Sequence, residues 1–419
     1  MNPILVFGTS GCSKKAFLQQ LQLSEVWRGE ELESAWEQIS KRRFSVLLDD
    51  ALSERRAALQ SAIETLKDGP DGPGKALAIG VHATHFVEAM LSCPLPVRDL
   101  EALGVALCLT IHDDLYALKK RLAQKGFSMP YQQLLVWRSA ELLVADLAAS
   151  CLVPKRNGQL DPPNIWLGAK HARASVWRLL NDPTRPRVYG AFSITGVIRS
   201  PAAERSQLIH ETNEYRRKLH YLGIVVFDPA TLDDRLLINK VKDDTAPRDE
   251  TITVKADERW PYRIDSDENQ PCVDDPEGVF PLDILHAEAF LLKGAMGSPH
   301  SPYNTIDAHI TQIDLRYVKQ ADFVTVWRPF SCGFQSLGCY REASTAADLH
   351  KDVIAYCPTE DQEAFQRKNE MRPLQEMWPP TIPLVPDKQH FWTMVDEAVK
   401  NLSRRRASCK SALDPAAAA

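Results

Sequence analysis

The stretch that most restricts the fold runs from Asp314 to Tyr356, DLRYVKQADFVTVWRPFSCGFQSLGCYREASTAADLHKDVIAY. Its pattern predicts a helix with Leu315, Val318 and Ala321 on the apolar side, a buried strand Phe323–Trp327 and a glycine-bearing loop. A helix opening near Tyr340 and a second strand Val353–Tyr356 follow. Strand, helix, strand of this kind is a βαβ unit. In an open parallel sheet ligands sit in the crevice beyond the carboxyl ends of the strands, so the loop Arg328–Cys339 and the first turn after it, with Glu342, are the expected pocket wall.

The same alternation fills the N-terminal half. Ile4–Phe7 is a short apolar run before GTSGCSKKAFLQQL, and FSVLLDD (44 to 50) reads as a strand and acidic loop. ALSERRAALQSAIETL follows as a helix, KALAIGVHATHF as strand and loop, and GVALCLTIHDDLYALKKRLAQKG as strand and helix. YQQLLVWRSAELLVADLAAS is a long helix and NIWLGAKH a last strand. Strands alternating with helices imply an α/β chain of two doubly wound parallel-sheet (Rossmann-like) domains. Three prolines between 181 and 201 put a linker near 181–186, giving domains 1–180 and 187–403 and a disordered tail 404–419.

In the second domain Arg187–Phe192 opens the sheet, and a helix from Ala202 to Leu222 leads to the strand GIVVFDP. Residues 242 to 279 are acidic, proline-bearing and without apolar period, the composition of a lid or mobile insertion; ETITVKA is a short strand candidate there. Trp260 and Tyr262 in that segment either reach a base or anchor the loop. A helix is expected over 282–296, and HFWTMVDEAVKNL closes the chain with Phe391, Val395, Ala398 and Leu402 on one face.

Composition excludes several classes. A net charge of −5, with Arg404–Arg406 the one basic run, argues against a nucleic-acid surface. Nine cysteines without a CxxC pair or zinc-type spacing exclude a disulfide framework and a structural metal, and suit a reducing cytosol. MNPILVFGTSG is too short an apolar run for a signal segment and no 18 apolar residues run together, so a cytoplasmic protein with no membrane partner is expected. His82 and His85 lie three apart, and Asp113 and Asp114 are conceivable co-ligands. No HExxH pattern accompanies them, so they are read as loop histidines and no metal is expected.

Strand, glycine-bearing loop, lysine, helix is the order of a phosphate-binding loop, where backbone N–H groups and a helix N-terminus surround a phosphate and the lysine adds charge. Gly8, Gly11 and Lys14 stand where that motif wants them. Ser13 replaces its last glycine, and Lys15 replaces the Ser/Thr that would hold Mg²⁺. Three readings stay open: a site for ATP and Mg²⁺, a pseudo-site, or a cradle for one or two phosphates. With the basic helix after Asp114 carrying Arg121, and Trp137-Arg138-Ser139-Ala140-Glu141, residues 1 to 180 resemble the P-loop nucleotide kinase superfamily, adenylate-kinase-like members in particular. The resemblance implies that Arg121 and Arg138 close on a transferred phosphoryl; taken alone they are exposed helix arginines.

Asp-Leu-x-x-x-x-x-Ala-Asp from Asp314, an apolar strand, a loop ending in a small residue and Glu-Ala on a helix resemble the nucleoside 2-deoxyribosyltransferase family and its N-glycosidase relatives. The resemblance implies that Glu342 is the nucleophile at the sugar's anomeric carbon and that Asp314, at the head of its helix, handles the proton of the base. Tyr189-Gly-Ala-Phe-Ser-Ile-Thr-Gly resembles that family's opening strand and loop, which implies that Tyr189 orients the nucleophile and that Ser193, Thr195 and Arg199 hold the sugar or a 5′-phosphate. Asp228, Ser336 and Gly338 complete the implied substrate pocket. Where the family carries a second aspartate in the loop, this chain has Gln335 and Ser336.

The leading expectation is an enzyme that cleaves or exchanges an N-glycosidic bond of a nucleoside or nucleotide, fused to a kinase-like nucleotide-binding domain. The alternatives are a nucleotide kinase with a binding-only second domain, and a non-catalytic nucleotide sensor or assembly subunit. Relatives of the second domain assemble so that a neighbour completes the pocket, which implies a homo-oligomer.

Overall fold

The computed structural model describes residues 3–23, 26–43, 52–67, 75–87, 90–93, 97–153, 162–232, 234, 251–254, 282–285, 302–369 and 374–413. The chain divides into two compact units: residues 1–170 with 234–254 and 280–307, and residues 171–233 with 255–279 and 308–419. Each unit is built on an all-parallel five-stranded sheet with helices packed against it, the doubly wound α/β arrangement. No helix among the described residues is long and apolar enough to cross a membrane.

The first unit runs β1 (Ile4–Phe7), α1 (Lys14–Gln22), β2 (Trp27–Glu31), α2 (Leu32–Ser40), α3 (Leu52–Lys67) and β3 (Ala76–Val81). A hairpin of β4 (His85–Val87) and β5 (Met90–Ser92) and a short α4 (Val97–Leu100) precede β6 (Leu107–His112), α5 (Leu115–Gln124), α6 (Tyr131–Leu152) and β7 (Asn164–Gly168). The sheet order is β2-β3-β1-β6-β7. Leu5, Phe7, Ile79 and Val81 bury one sheet face against Trp36 of α2, Leu59 and Ile63 of α3 and Ala145 and Ala149 of α6. The strand expected at 44–50 lies outside the described residues.

Sequence reasoning missed β2 and α2. Trp-Arg-Gly-Glu-Glu has no apolar run, because β2 is an edge strand paired on one side only, with β3, so it need not be apolar on both faces. Arg28 there is buried and donates to the carbonyl of Leu66. Gly29 is required for packing: a Cβ on it would stand 2.6 Å from the carbonyl oxygen of Leu18 in α1.

The second unit begins with α7 (Arg173–Asn181), β8 (Arg187–Phe192), α8 (Ile194–Arg199), α9 (Ala202–Tyr221) and β9 (Val225–Phe227). The chain then returns to the first unit, where β10 (Thr251–Val254) and β11 (Leu282–Leu285) pair antiparallel. The expected helix over 282–296 is thus corrected at its start: Leu-Asp-Ile-Leu is a strand that pairs with Thr-Ile-Thr-Val. Trp260 and Tyr262 lie outside the described residues. After α10 (Pro302–Gln320) come β12 (Phe323–Trp327), a two-residue ribbon β13 (Phe330–Ser331) with β14 (Phe334–Gln335), and α11 (Leu337–Asp348). β15 (Asp352–Tyr356), α12 (Thr359–Lys368), β16 (Leu384–Val385) and α13 (Lys388–Leu413) complete the unit, whose sheet order is β16-β15-β12-β8-β9.

One face of this sheet is aromatic. Tyr215 of α9 stacks on Trp327 with centroids 4.9 Å apart, and Phe391 and Trp392 of α13 close over both. The Tyr215 hydroxyl meets Thr325 Oγ1 at 2.8 Å. The expected disordered tail is also corrected: α13 continues through Arg404–Arg406 to Leu413. Arg406 is buried and forks onto Asp322, at 2.9 Å from Nε and 2.7 Å from Nη2, which anchors the helix.

Two outcomes follow from this packing. Gly29→Ala should cost about 1–3 kcal/mol by overpacking, seen as a lower urea midpoint for the first unit. His220, buried in the last turn of α9 beside Ser175 Oγ at 3.2 Å, is pushed by burial from the ordinary 6.5 to about 3. Since the unfolded chain takes up the proton first, stability of the second unit should fall as pH drops from about 6.5 toward 3. His220→Gln should flatten that slope in pH-dependent thermal unfolding.

Candidate functional site

In the second unit the strand order reverses at the β8/β12 pair, the place where an open parallel sheet forms its crevice. Tyr189 lies on β8 opposite Val324 of β12. The loops after the two strands meet: a Cβ on Gly196 would stand 3.0 Å from Cβ of Ser331. Glu342 is buried on α11, which opens at Leu337 rather than near Tyr340 and so puts this residue in the second turn. Asp314 is not at a helix head as expected. It is the thirteenth residue of the 19-residue α10, a helix that starts earlier than the sequence pattern shows.

Electrostatics brings these three together. The Tyr189 hydroxyl is fully buried and pushed well above the usual phenol range, by burial first and then by the charges of Asp314 and Glu342. Burial and the same two carboxylates push up the Cys339 thiol. The Tyr189 oxygen has no hydrogen-bond partner among the described residues, its approach to Glu342 falling short of good geometry. Tyr317, one turn after Asp314, carries α10: it stacks on Phe227 at 5.8 Å, meets the edge of His171 at 5.1 Å and packs on Tyr189 at 6.4 Å.

The implied substrate contacts divide. Gly338 borders the cluster, since a Cβ there would be 3.8 Å from both Glu342 Oε1 and Ser336 Oγ. Ser336 caps α11, accepting from the Cys339 N–H at 3.3 Å, and Gln335 donates to the Met377 carbonyl, so neither stands in for the missing loop acid. Ser193 caps α8 in the same way through Gly196 N–H at 3.2 Å. The side chains of Thr195 and Arg199 lie outside the described residues. Asp228 is held in a buried ion pair. Its Oδ2 takes Arg216 Nε at 2.8 Å and Nη2 at 2.7 Å, and its Oδ1 the Ala230 N–H at 2.8 Å. Burial opposes ionisation there, but the guanidinium wins and holds the carboxyl below its usual range.

In the first unit the Gly8–Lys14 segment links β1 to α1 through two residues of positive φ. Gly11 has φ +86° and Ser13 φ +63°, the left-handed region that glycine would enter without strain. Lys14 is 4% exposed, and its Nζ, like Thr9 Oγ1, has no hydrogen-bond partner among the described residues. Lys15 faces solvent. Arg121 and Arg138 are corrected from exposed helix arginines: Arg121 is half-buried and Arg138 buried. Arg121 donates to Gly11 O at 2.8 Å and Asp113 Oδ2 at 2.6 Å, while buried Arg138 donates to Asp113 O at 2.8 Å and Asp234 Oδ2 at 2.5 Å. Both brace the loop's surroundings.

Sequence reasoning gave Glu141 no role. Its carboxylate accepts from Gly8 N–H at 3.0 Å, Ala83 N–H at 2.8 Å and both the N–H and hydroxyl of Thr84 at 2.7 Å, tying the carboxyl ends of β1 and β3. It also missed Glu33. Asp113 and Asp114 are engaged by Arg121 and Lys170, whereas Glu33 Oε1 lies 3.0 Å from His82 Nδ1 and accepts the His82 N–H at 2.7 Å. The His82 and His85 rings are 4.9 Å apart, and one ligand atom each from Glu33, His82 and His85 fall within 4.8 Å of one another. Glu33 is separated from His82 by 49 positions, a spacing no local pattern reveals. Burial raises the Glu33 carboxyl, yet Lys14 and His82 pull it below its usual range.

No protein-family model matches this sequence, and no curated protein matches it. Among solved structures, a gluconokinase from Sinorhizobium meliloti 1021 aligns at 14% identity over 40% of this chain and 82% of that one, with TM-score 0.23. An uncharacterized protein from Eubacterium ventriosum ATCC 27560 aligns at 11% identity over 40% of this chain and 89% of that one, also with TM-score 0.23. At that level of likeness the site geometry alone carries the functional argument.

A buried hydroxyl without a partner costs stability, about 1–3 kcal/mol. Tyr189→Phe should therefore leave the second unit at least as stable as the native chain in thermal unfolding.

Proposed function

We propose that the second unit cleaves or exchanges the N-glycosidic bond of a nucleoside or nucleotide. The observation that supports this is the convergence of Glu342 and Asp314 on the buried Tyr189 hydroxyl at the strand-order reversal. Cleaving such a bond passes through an oxocarbenium-like state, which one carboxylate captures while a second carboxyl supplies a proton.

In this reading a Glu342 oxygen forms a bond to the anomeric carbon as the C–N bond breaks, and the departing base takes its electron pair and a proton from Asp314. Water or a second base then attacks the same carbon and surrenders a proton to the Asp314 carboxylate, and Glu342 leaves ionised. Tyr189, whose proton is held firmly, is a donor left free for the reacting complex, where it turns toward Glu342 and sets which oxygen attacks. With Gln335 and Ser336 in place of an acid, the unit has no carboxylate in that loop to grip a sugar hydroxyl, so selection between ribose and deoxyribose falls to other groups.

A second reading has its own support: the buried Lys14 ammonium at the start of α1, without a hydrogen-bond partner among the described residues, favours a phosphate-bearing ligand in the first unit. The exposed Lys15 offers no hydroxyl to Mg²⁺, which speaks for a nucleotide sensor or a phosphate cradle over a phosphotransferase.

Full-length protein incubated with a panel of nucleosides and their 5′-monophosphates should release free base, read by chromatography. Glu342→Gln should lower kcat by at least about 100-fold, and a glycosyl adduct on the Glu342 peptide should appear by mass spectrometry in the unsubstituted protein. Base release undiminished in Glu342→Gln would remove that residue from the mechanism.

A further inference from the structure

We propose that Glu33, His82 and His85 bind one divalent transition-metal cation, Zn²⁺ by preference, beside the Gly8–Lys14 loop. Two imidazole nitrogens and a carboxylate oxygen form a donor set suited to zinc, whereas Mg²⁺ and Ca²⁺ select oxygen. The distances already approach what the ion needs. With bonds of about 2.0–2.2 Å, tetrahedral zinc holds its donors about 3.3–3.6 Å apart, and Glu33 Oε1 lies 3.0 Å from His82 Nδ1. The third donor, on His85, closes a triangle whose sides are all within 4.8 Å. Small side-chain rotations complete the set.

The donors sit on three separately fixed pieces of backbone. Glu33 is in the first turn of α2, His82 directly follows β3 with its N–H held at 2.7 Å by Glu33, and His85 opens β4. Coordination through Nδ1 leaves the His82 Nε2–H to donate to Ser10 Oγ, 3.2 Å away, the outer-sphere bond that fixes a metal-binding imidazole. Ser10 belongs to the loop, so the ion adjoins it. Three protein ligands leave a fourth position for an outside oxygen.

This position also answers a deficiency in the loop. Lys15 stands where a hydroxyl would hold Mg²⁺, and the chain offers a nitrogen-rich site on the neighbouring strand instead. The charge of Lys14 acts on Glu33, so a cation here gains from an anion on its open position; inorganic phosphate should strengthen metal binding. None of this depends on glycosidic cleavage in the second unit.

The test is a titration of chelator-stripped full-length protein with Co²⁺, which reports its ligands through visible d–d bands. One equivalent should bind, with bands abolished by Zn²⁺. Glu33→Gln and His85→Gln should each weaken binding at least about tenfold without changing the far-ultraviolet dichroism, while His210→Gln, on an exposed helix face, should not. Zn²⁺ should also protect His82 from diethyl pyrocarbonate in the unsubstituted protein, read by peptide mass spectrometry. Bands that persist unchanged in both variants, no Co²⁺ uptake, or an unprotected His82 would each overturn the assignment, and the protection experiment decides it even if a variant fails to fold.

Discussion

The parallel pairing of β8 with β12 decides where the rest of the second unit goes. Parallel strands bring their following loops to the same edge, so the Ser193 cap and the Ser331 ribbon touch there and frame one crevice. The register sets Tyr189 against Val324, deep enough that its hydroxyl loses water entirely. The helices on either side of β12 then each deliver an acid to that phenol. Asp314 comes on the one that precedes the strand and Glu342 on the one that follows.

The first unit solves a similar problem with a different bond. A loop whose glycine has become Ser13 and whose lysine has no buried counter-charge in hydrogen-bond contact needs outside support. It receives it from Glu141, Arg121 and the Asp113 carboxylate that Arg121 engages. Arg121 and Arg138, which a kinase-like reading would send toward a phosphate, are each held by hydrogen bonds to Asp113 and its surroundings. What stays turned inward without a hydrogen bond among the described residues is the Lys14 ammonium, whose charge is felt by Glu33.

Much of this architecture was legible from residue order. Apolar runs such as Ile4–Phe7, Phe323–Trp327 and Val353–Tyr356 are strands because only a doubly covered parallel strand tolerates such continuous apolarity. The edge strand Trp27–Glu31 was not legible, since half of its surface needs no apolar partner. Of the site, Glu342, Asp314 and Tyr189 could be named because the segments around them resemble the motifs of a known family, not because their spacing alone marks them. The depth of Asp314 along its helix could not, because that helix begins in the polar Pro302–Thr305 segment. The ion pairs of Asp228 and Arg138 were not legible either: a charge in sequence does not announce whether its counter-ion lies in the fold or in a ligand. Glu33 and Glu141 were invisible because their partners are 49 and up to 133 positions away.

The Arg406 latch bears on how far the second unit extends. Asp322 accepts the Arg187 N–H at 2.7 Å while gripping the Arg406 guanidinium, so the feet of β8 and β12 and the end of the last helix share a single carboxylate. A clone ended just after the apolar stripe of α13 would strip that carboxylate of the guanidinium that forks onto it and loosen the base of both strands that carry the crevice at their tops. The basic tail is thus a keystone at the foot of the two strands whose other ends frame the crevice.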